Sequence, residues 1–556
     1  ASVPMTGMKR RHFLHSTLTL PAIAQALSAM SLPAQATVQL ARPQWRADPF
    51  ALGVASGEPR PDSVLLWTRL YPGPAVPGQS ASERQQQAFF EAQSGMRADQ
   101  FCAVSYEIFS DEALTKRVQR GEFITHARRG WSVHVRAQGL RPDRPYWYRF
   151  QSGAAQSPVG RTRTAPAPDA VVPRLRLALA SCQHYEQGHY AAHADMARQD
   201  LALVLFVGDY IYESTNPKYV VRPHTGGLPS TLPAYRERHA LYKLDADLRA
   251  CHAAHPWICT WDDHEVENDY ANDQNRSYTD PAAFLARRAA AYQAYFEHMP
   301  VWPVAPGSGD GPQGLDDLDF AQPRIYQHYA WGQLADLWTL DCRQYRSPQP
   351  CRDPIKGGGR VVVSCQESEA AERTMLGQAQ TQWLAQGLAA SRRQWRLLAQ
   401  STPIHPTGGK TPVGRSIFPA GWGGYSAAPP PPAPNAGDAK VNNVVALGGD
   451  VHQNVAAQLR LEPNNPQSPI VASEFVATSI TSRGMGEFAL ARIRASNTDI
   501  LHARSDERGY ALVDITPERM HTQFLTTPFP AQAGARLQLQ AQFQVLAGQA
   551  GVQAVN

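Results

Sequence analysis

Three short segments carry side chains whose types and spacing could hold metal ions. The first is Gly208-Asp209-Tyr210-Ile211-Tyr212, with a carboxylate and a phenol three residues apart. The second is Trp261-Asp262-Asp263-His264-Glu265 and the third Gly448-Gly449-Asp450-Val451-His452. Carboxylate oxygens suit hard cations, and a phenolate suits ferric iron. Asp209 has two oxygens and could bridge two metals, with Tyr212 on one of them. Asp263 could bind metal while its neighbour His264 gives or takes a proton. Asp450 and His452 would point to one face if strand geometry persists past Leu447. Cys182 ends an apolar run, and as a thiolate it would be a strong iron ligand. Singly, each has an ordinary alternative: Asp209 as a helix cap, Tyr212 as packing, Asp263 in a salt-bridged turn, Cys182 as a buried thiol. Jointly they describe metal-assisted hydrolysis of a phosphate ester. There, a metal-bound hydroxide attacks in line and a histidine helps the leaving oxygen depart. His184, His189, His193, His252 and His255 have no spacing that lifts them above a structural role.

Elements that would position these residues are visible in the apolar pattern. Leu201 to Val207 is an unbroken apolar run, as in a buried strand, directly before Asp209. Leu175, Leu177 and Leu179 alternate before Cys182, and strands are expected at Trp257–Trp261, Leu334–Leu340, Trp395–Ala399 and Val444–Leu447. Helices are expected at Tyr190–Arg198, Pro281–Met299 and Ala370–Ala390. Alternation of strand and helix gives an α/β fold over residues 173–540. Residues 45–165 instead show short strands without long helical patterns, which predicts a separate N-terminal β-sandwich domain. Thr164 to Asp169 is the expected linker, and Ala427 to Pro434 an exposed proline-rich loop.

Composition narrows the class. The 556 residues carry 53 Lys and Arg against 48 Asp and Glu, and three of the cations lie in Lys9-Arg10-Arg11. That balance gives no case for nucleic acid, and no apolar run is long enough to span a bilayer. Lys9-Arg10-Arg11, the weakly apolar stretch to Met30 and Ala34-Gln35-Ala36 resemble a twin-arginine signal over residues 1–36. Export by the twin-arginine machinery would place the protein in the periplasm or outside the cell, and suits an enzyme loaded with metal before it leaves the cytoplasm. Seven cysteines leave at least one unpaired. Cys342, Cys351 and Cys365 cluster in a loop-rich stretch, where a bridge is expected without a fixed pairing.

At this point the chain resembles the PhoD-like alkaline phosphatases, within the wider metallophosphatases that include purple acid phosphatases. The resemblance rests on Phe50 to Pro59, Leu66-Trp67-Thr68-Arg69-Leu70, Ala180-Ser181-Cys182-Gln183, Gly208 to Glu213, Thr260 to Asn268, Leu340 to Arg346, Arg373 to Gly377 and Gly448 to His452. It implies a four-layer αββα sandwich, an Fe3+ site and accompanying Ca2+. Cys182, Asp209, Tyr212 and His452 would hold iron; Asp209, Asp263 and Asp450 would help hold calcium. His264 matches the histidine after the metal ligand, Asn268 is a weaker candidate, and Arg343 could bind phosphate. Cysteine stands where the general metallophosphatase pattern has Asp, Asp263 where it has Asn, and Asp450 where it has His. The last two changes add anionic oxygen and favour calcium over zinc. The expected activity is hydrolysis of phosphomonoesters, with phosphodiesters as a second substrate class. A phospholipase D-type diesterase, a periplasmic iron oxidoreductase and a non-catalytic metal or phosphate binder are the alternatives.

Overall fold

A computed structural model describes residues 40–79, 81–304, 318–426 and 442–555. The leader and the proline-rich tract lie outside them. Alternation along the central strands divides their side chains between two cores, as the two-residue period of a strand requires. Leu177, Leu179, Leu203, Leu205 and Ile258 pack with Leu337, Leu397, Val445, Leu447 and Phe475 in one core. Their neighbours Ala178, Val204, Phe206 and Trp257 face a second core with helix residues such as Met196, Tyr242 and Tyr295. Trp338, Leu398 and Ala446 face a third, with Leu384 and Leu388 of the helix Gly377–Ala390.

Two sheets supply those strands. In one, Leu175–Ala180, Leu203–Phe206 and Pro256–Cys259 run parallel at the centre of ten strands. In the other, Ala335–Thr339, Trp395–Ala399, Val444–Gly448 and Ile470–Val476 run parallel among seven. Segments leaving the C-terminal ends of these strands carry every one of the seven expected site residues. This is where open parallel sheets bind ligands.

The N-terminal segment does not close on itself. Its strands Val54–Gly57, Ser63–Arg69 and Ser132–Gln138 join the ten-stranded sheet, Val54–Gly57 pairing with Pro256–Cys259. Phe101–Phe109, Arg117–His126 and Pro145–Ser152 belong to a six-stranded sheet. Val64, Leu66, Val133 and Val135 pack with Val104, Ile108, Tyr148 and Phe150 in one core. The expected linker is seated rather than free: Ala165 is buried, and its amide donates to the Arg60 carbonyl at 3.0 Å.

Two local expectations change, and the open disulfide pairing is fixed. The helix Glu83–Ser94 interrupts the β segment. It starts at a capping box in which Ser82 and Gln85 satisfy each other's amides, but its glutamine-rich body lacks the apolar period that would announce it. The helix expected from Ala370 begins at Gly377. Residues before it are held by tertiary bonds: Arg373 Nε donates to the Gly424 carbonyl and the Thr374 amide to Ser347 Oγ. Cys351 pairs with Cys365, leaving Cys342 a buried free thiol. No helix of the described residues is long and apolar enough to cross a membrane.

Candidate metal centre

Four of the expected ligands sit in left-handed backbone: Cys182 (φ 60°), Asp209 (φ 57°), Asp450 (φ 66°) and His452 (φ 57°). Such conformations are uncommon for side chains with a Cβ, and they persist only where surroundings impose them. Here the surroundings are crossing loops. The Cys182 and Gln183 amides donate to the Gly208 and Asp209 carbonyls at 3.1 Å, tying two strand ends together. Gly208 (φ 112°) allows the third to approach: a Cβ on it would stand 2.7 Å from the Asp262 nitrogen. Gly449 joins the two sheets, since a Cβ there would stand 2.7 Å from Ser181 Cβ.

These constraints bring ligand atoms into two groups, Cys182, Asp209 and His452 in one and Asp209, Asp263 and His264 in the other, each within 4.8 Å. Asp209 is the shared member, as a bridging carboxylate must be. Its Oδ2 accepts from the Tyr212 hydroxyl at 2.9 Å and its Oδ1 from the His264 amide at 3.3 Å. The Tyr212 hydroxyl also lies 3.1 Å from His452 Nε2. Because His452 Nδ1 faces the Arg483 carbonyl at 2.8 Å, Nδ1 carries the proton and the Nε2 lone pair faces the group.

Asp450 enters differently. The strand ends at Gly448, and the Gly449 amide donates to the Ser401 carbonyl, so strand geometry does not extend to Asp450 and His452. Asp450 lies outside both groups and faces Arg343, with Oδ2 3.9 Å from Nη2. Arg343 is itself fully buried; its Nε donates to Asp262 Oδ1 at 2.6 Å and its Nη2 is 3.4 Å from Asp263 Oδ2. Its guanidinium therefore meets three carboxylates. Asn268 spends its side-chain amide on Asp269.

The protonation pattern suits a cation. Burial, then the Asp209 charge, pushes the Cys182 thiol up. Burial also raises Asp209 and the Tyr212 phenol, and raises Asp450 to about 8. Burial lowers His452 to about 3, keeping its imidazole neutral. Burial pulls His264 down, but Glu213, Asp209 and Asp263 outweigh it and hold the ring well above the usual histidine range. Asp262 Oδ2, Asp263 Oδ1 and Asp450 Oδ2 are buried without hydrogen-bond partners, an arrangement that costs free energy unless something positive meets them. Thiolate, carboxylate, phenolate and imidazole together fit a ferric ion, and the surplus carboxylate oxygens fit a hard divalent cation.

Sequence reasoning left three contributors without a role. Glu213 Oε2 accepts from His264 Nδ1 at 2.6 Å, and its Oε1 accepts the Asn268 amide at 2.9 Å. Ser482 Oγ lies 2.8 Å from the Tyr212 hydroxyl and the Cys182 carbonyl. Buried Arg508 donates to the His452 carbonyl at 3.3 Å. Glu213 follows Tyr212 directly and was open to notice; Ser482 and Arg508 sit in segments with no local signal. His193, His252 and His255 are structural, bonded to Gln183, the Tyr210 hydroxyl and the Met196 carbonyl.

Comparison with known proteins identifies the family. Residues 177–524 match the PhoD-like phosphatase family, and residues 34–166 match the PhoD-like phosphatase N-terminal domain. The chain is 39% identical to alkaline phosphatase D of Bacillus subtilis (strain 168) over 549 residues, covering 96% of this chain and 86% of that protein. A solved structure described as that of PhoD superposes with a TM-score of 0.80 at 37% identity, over 92% of this chain and 93% of that one.

Proposed function

Because the chain belongs to the PhoD-like phosphatase family and is therefore a hydrolase acting on phosphate esters, we propose that it is an exported, metal-dependent phosphohydrolase of phosphomonoesters and phosphodiesters. The observation that carries the metal reading is the sharing of Asp209 by both ligand groups. In this reading Cys182, Asp209, Tyr212 and His452 hold Fe3+, and Asp209, Asp263 and Asp450 contribute to Ca2+. When bound, such metals supply Lewis acidity and a nucleophile at neutral pH. The chain's own residues do the rest. His264 delivers a proton to the leaving oxygen, and Glu213 fixes its ring by holding Nδ1–H. Arg343 pairs with Asp262 and Asp263 and faces Asp450, which holds the acidic cluster in place.

The shared core of the two sheets and the helix-lined cores on their outer sides support a four-layer αββα sandwich. The core between the six-stranded sheet and the N-terminal strands supports a β-sandwich over residues 45–165, ahead of a catalytic segment over 173–540. Residues 1–36 carry the basis for twin-arginine export and a periplasmic or secreted location.

The test is hydrolysis of a chromogenic phosphate monoester and its diester analogue, before chelation, after it, and after adding back calcium or zinc. Activity lost to the chelator and restored by calcium supports the proposal, and the monoester-to-diester ratio ranks the substrate classes. No turnover of either ester by iron-containing protein overturns it.

A further inference from the structure

A cleft of about 1260 Å³ opens between the segment 69–131 and the segment 222–244, and none of the seven expected site residues lines it. Its volume is that of a small-molecule site with room to spare. The walls are amphipathic. Phe90 and Trp131 line the cleft and stack with ring centroids 4.7 Å apart; both are almost wholly buried, so the small apolar edges they present are fixed in place. Leu228, 61% exposed, adds an apolar lip.

One wall residue is a buried cation. Arg69 is only 6% exposed; its Nε donates to the Gly130 carbonyl at 2.7 Å and its Nη1 lies 2.6 Å from His298 Nε2. Its guanidinium lies over the Tyr71 ring, 5.1 Å from the centroid, and among the described residues no carboxylate forms an ion pair with it. Glu237, an acid of the wall whose charge acts on Arg69, accepts at Oε2 from the Tyr71 hydroxyl at 2.9 Å. Glu83 is exposed. Five further arginines line the cleft. Arg222 and Arg236 are ion-paired with Asp245 and Glu297, and Arg238 donates to the Glu213 and Gly227 carbonyls. Arg84 and Arg128 are exposed, and neither is paired through its side chain among the described residues. An open cleft with a rigid aromatic wall and unpaired guanidinium groups suits a ligand with an apolar body and an anionic group.

We infer that this cleft is a second ligand site, binding an amphipathic organic anion with its charge toward the arginines and its apolar body along Phe90 and Trp131. The site does not depend on the catalytic reading. The experiment titrates the full chain with 8-anilinonaphthalene-1-sulfonate by fluorescence and then competes with decane-1-sulfonate or inorganic phosphate. One saturable site is expected, emptied by decane-1-sulfonate but not by inorganic phosphate at equal concentration. The Arg84→Glu/Arg128→Glu variant should bind the probe about tenfold more weakly, because like charge now faces the anion, while hydrolysing a small phosphate monoester at the unaltered rate. Unchanged probe affinity in that variant, non-saturable binding, or equal displacement by inorganic phosphate would overturn the inference. The last result would place the probe at the phosphate-ester centre.

Discussion

His264 Nδ1 lies 2.6 Å from Glu213 Oε2, so a buried carboxylate holds one ring nitrogen and leaves Nε2 as the other. The ring is also stacked on Tyr212, with centroids 4.1 Å apart. Removing the imidazole by His264→Ala should lower kcat by about 10²–10⁴, the usual worth of a positioned acid or base. Removing only the holding charge by Glu213→Gln should cost about 10–100-fold, with bound metal retained. Steady-state kinetics with elemental analysis of both variants checks this. Undiminished hydrolysis in His264→Ala would end its role as acid.

Gly208 is a test of how tightly the ligand loops are packed. Gly208→Ala meets both an unfavourable φ of 112° and the Asp262 backbone. It should lose about 3 kcal/mol of stability. Gly78→Ala is the control: φ is 70°, but nothing lies within 4 Å of the added methyl, and the expected loss is about 1 kcal/mol. Urea unfolding of both variants gives the comparison. Equal losses would mean that the loops are not held together as described.

Several central strands, and the segments at their ends that carry the candidate ligands, could be read from the chain, whereas the constraints that draw those segments together could not. The alternation of Leu175, Leu177 and Leu179 is local, and it marks the strand whose end carries Cys182. The left-handed backbone at Cys182, Asp209, Asp450 and His452 arises from contacts between loops more than twenty residues apart in sequence, so no window of sequence contains it. The same holds for Arg343. Its segment suggested a phosphate ligand, but burial among Asp262, Asp263 and Asp450 gives it a charge-balancing position. The Glu83–Ser94 helix failed for a different reason: its capping box is local and visible, but a glutamine-rich body has no apolar stripe.

Arg343 should therefore matter most when metal is absent. Arg343→Met leaves buried carboxylates without their cation, a loss of about 3–5 kcal/mol. Added calcium should return part of it by supplying positive charge in the same place. Thermal unfolding with chelator and with calcium measures both effects. A variant as stable as the parent in chelator would contradict the charge-balancing role.

Tyr212 offers a spectroscopic handle. A phenolate on ferric iron absorbs visible light, so iron-loaded parent protein should be coloured and Tyr212→Phe should lose that band while keeping part of its iron. An unchanged visible spectrum in Tyr212→Phe would remove Tyr212 from the ligand set.

The most direct measurement is the metal content of Asp209→Asn beside Cys182→Ser, by elemental analysis of folded, purified protein. Asp209 is the one residue common to both ligand groups. Asp209→Asn should lose iron and calcium together, whereas Cys182→Ser should lose iron and keep calcium. Native amounts of both metals in Asp209→Asn would contradict a centre built on a shared carboxylate.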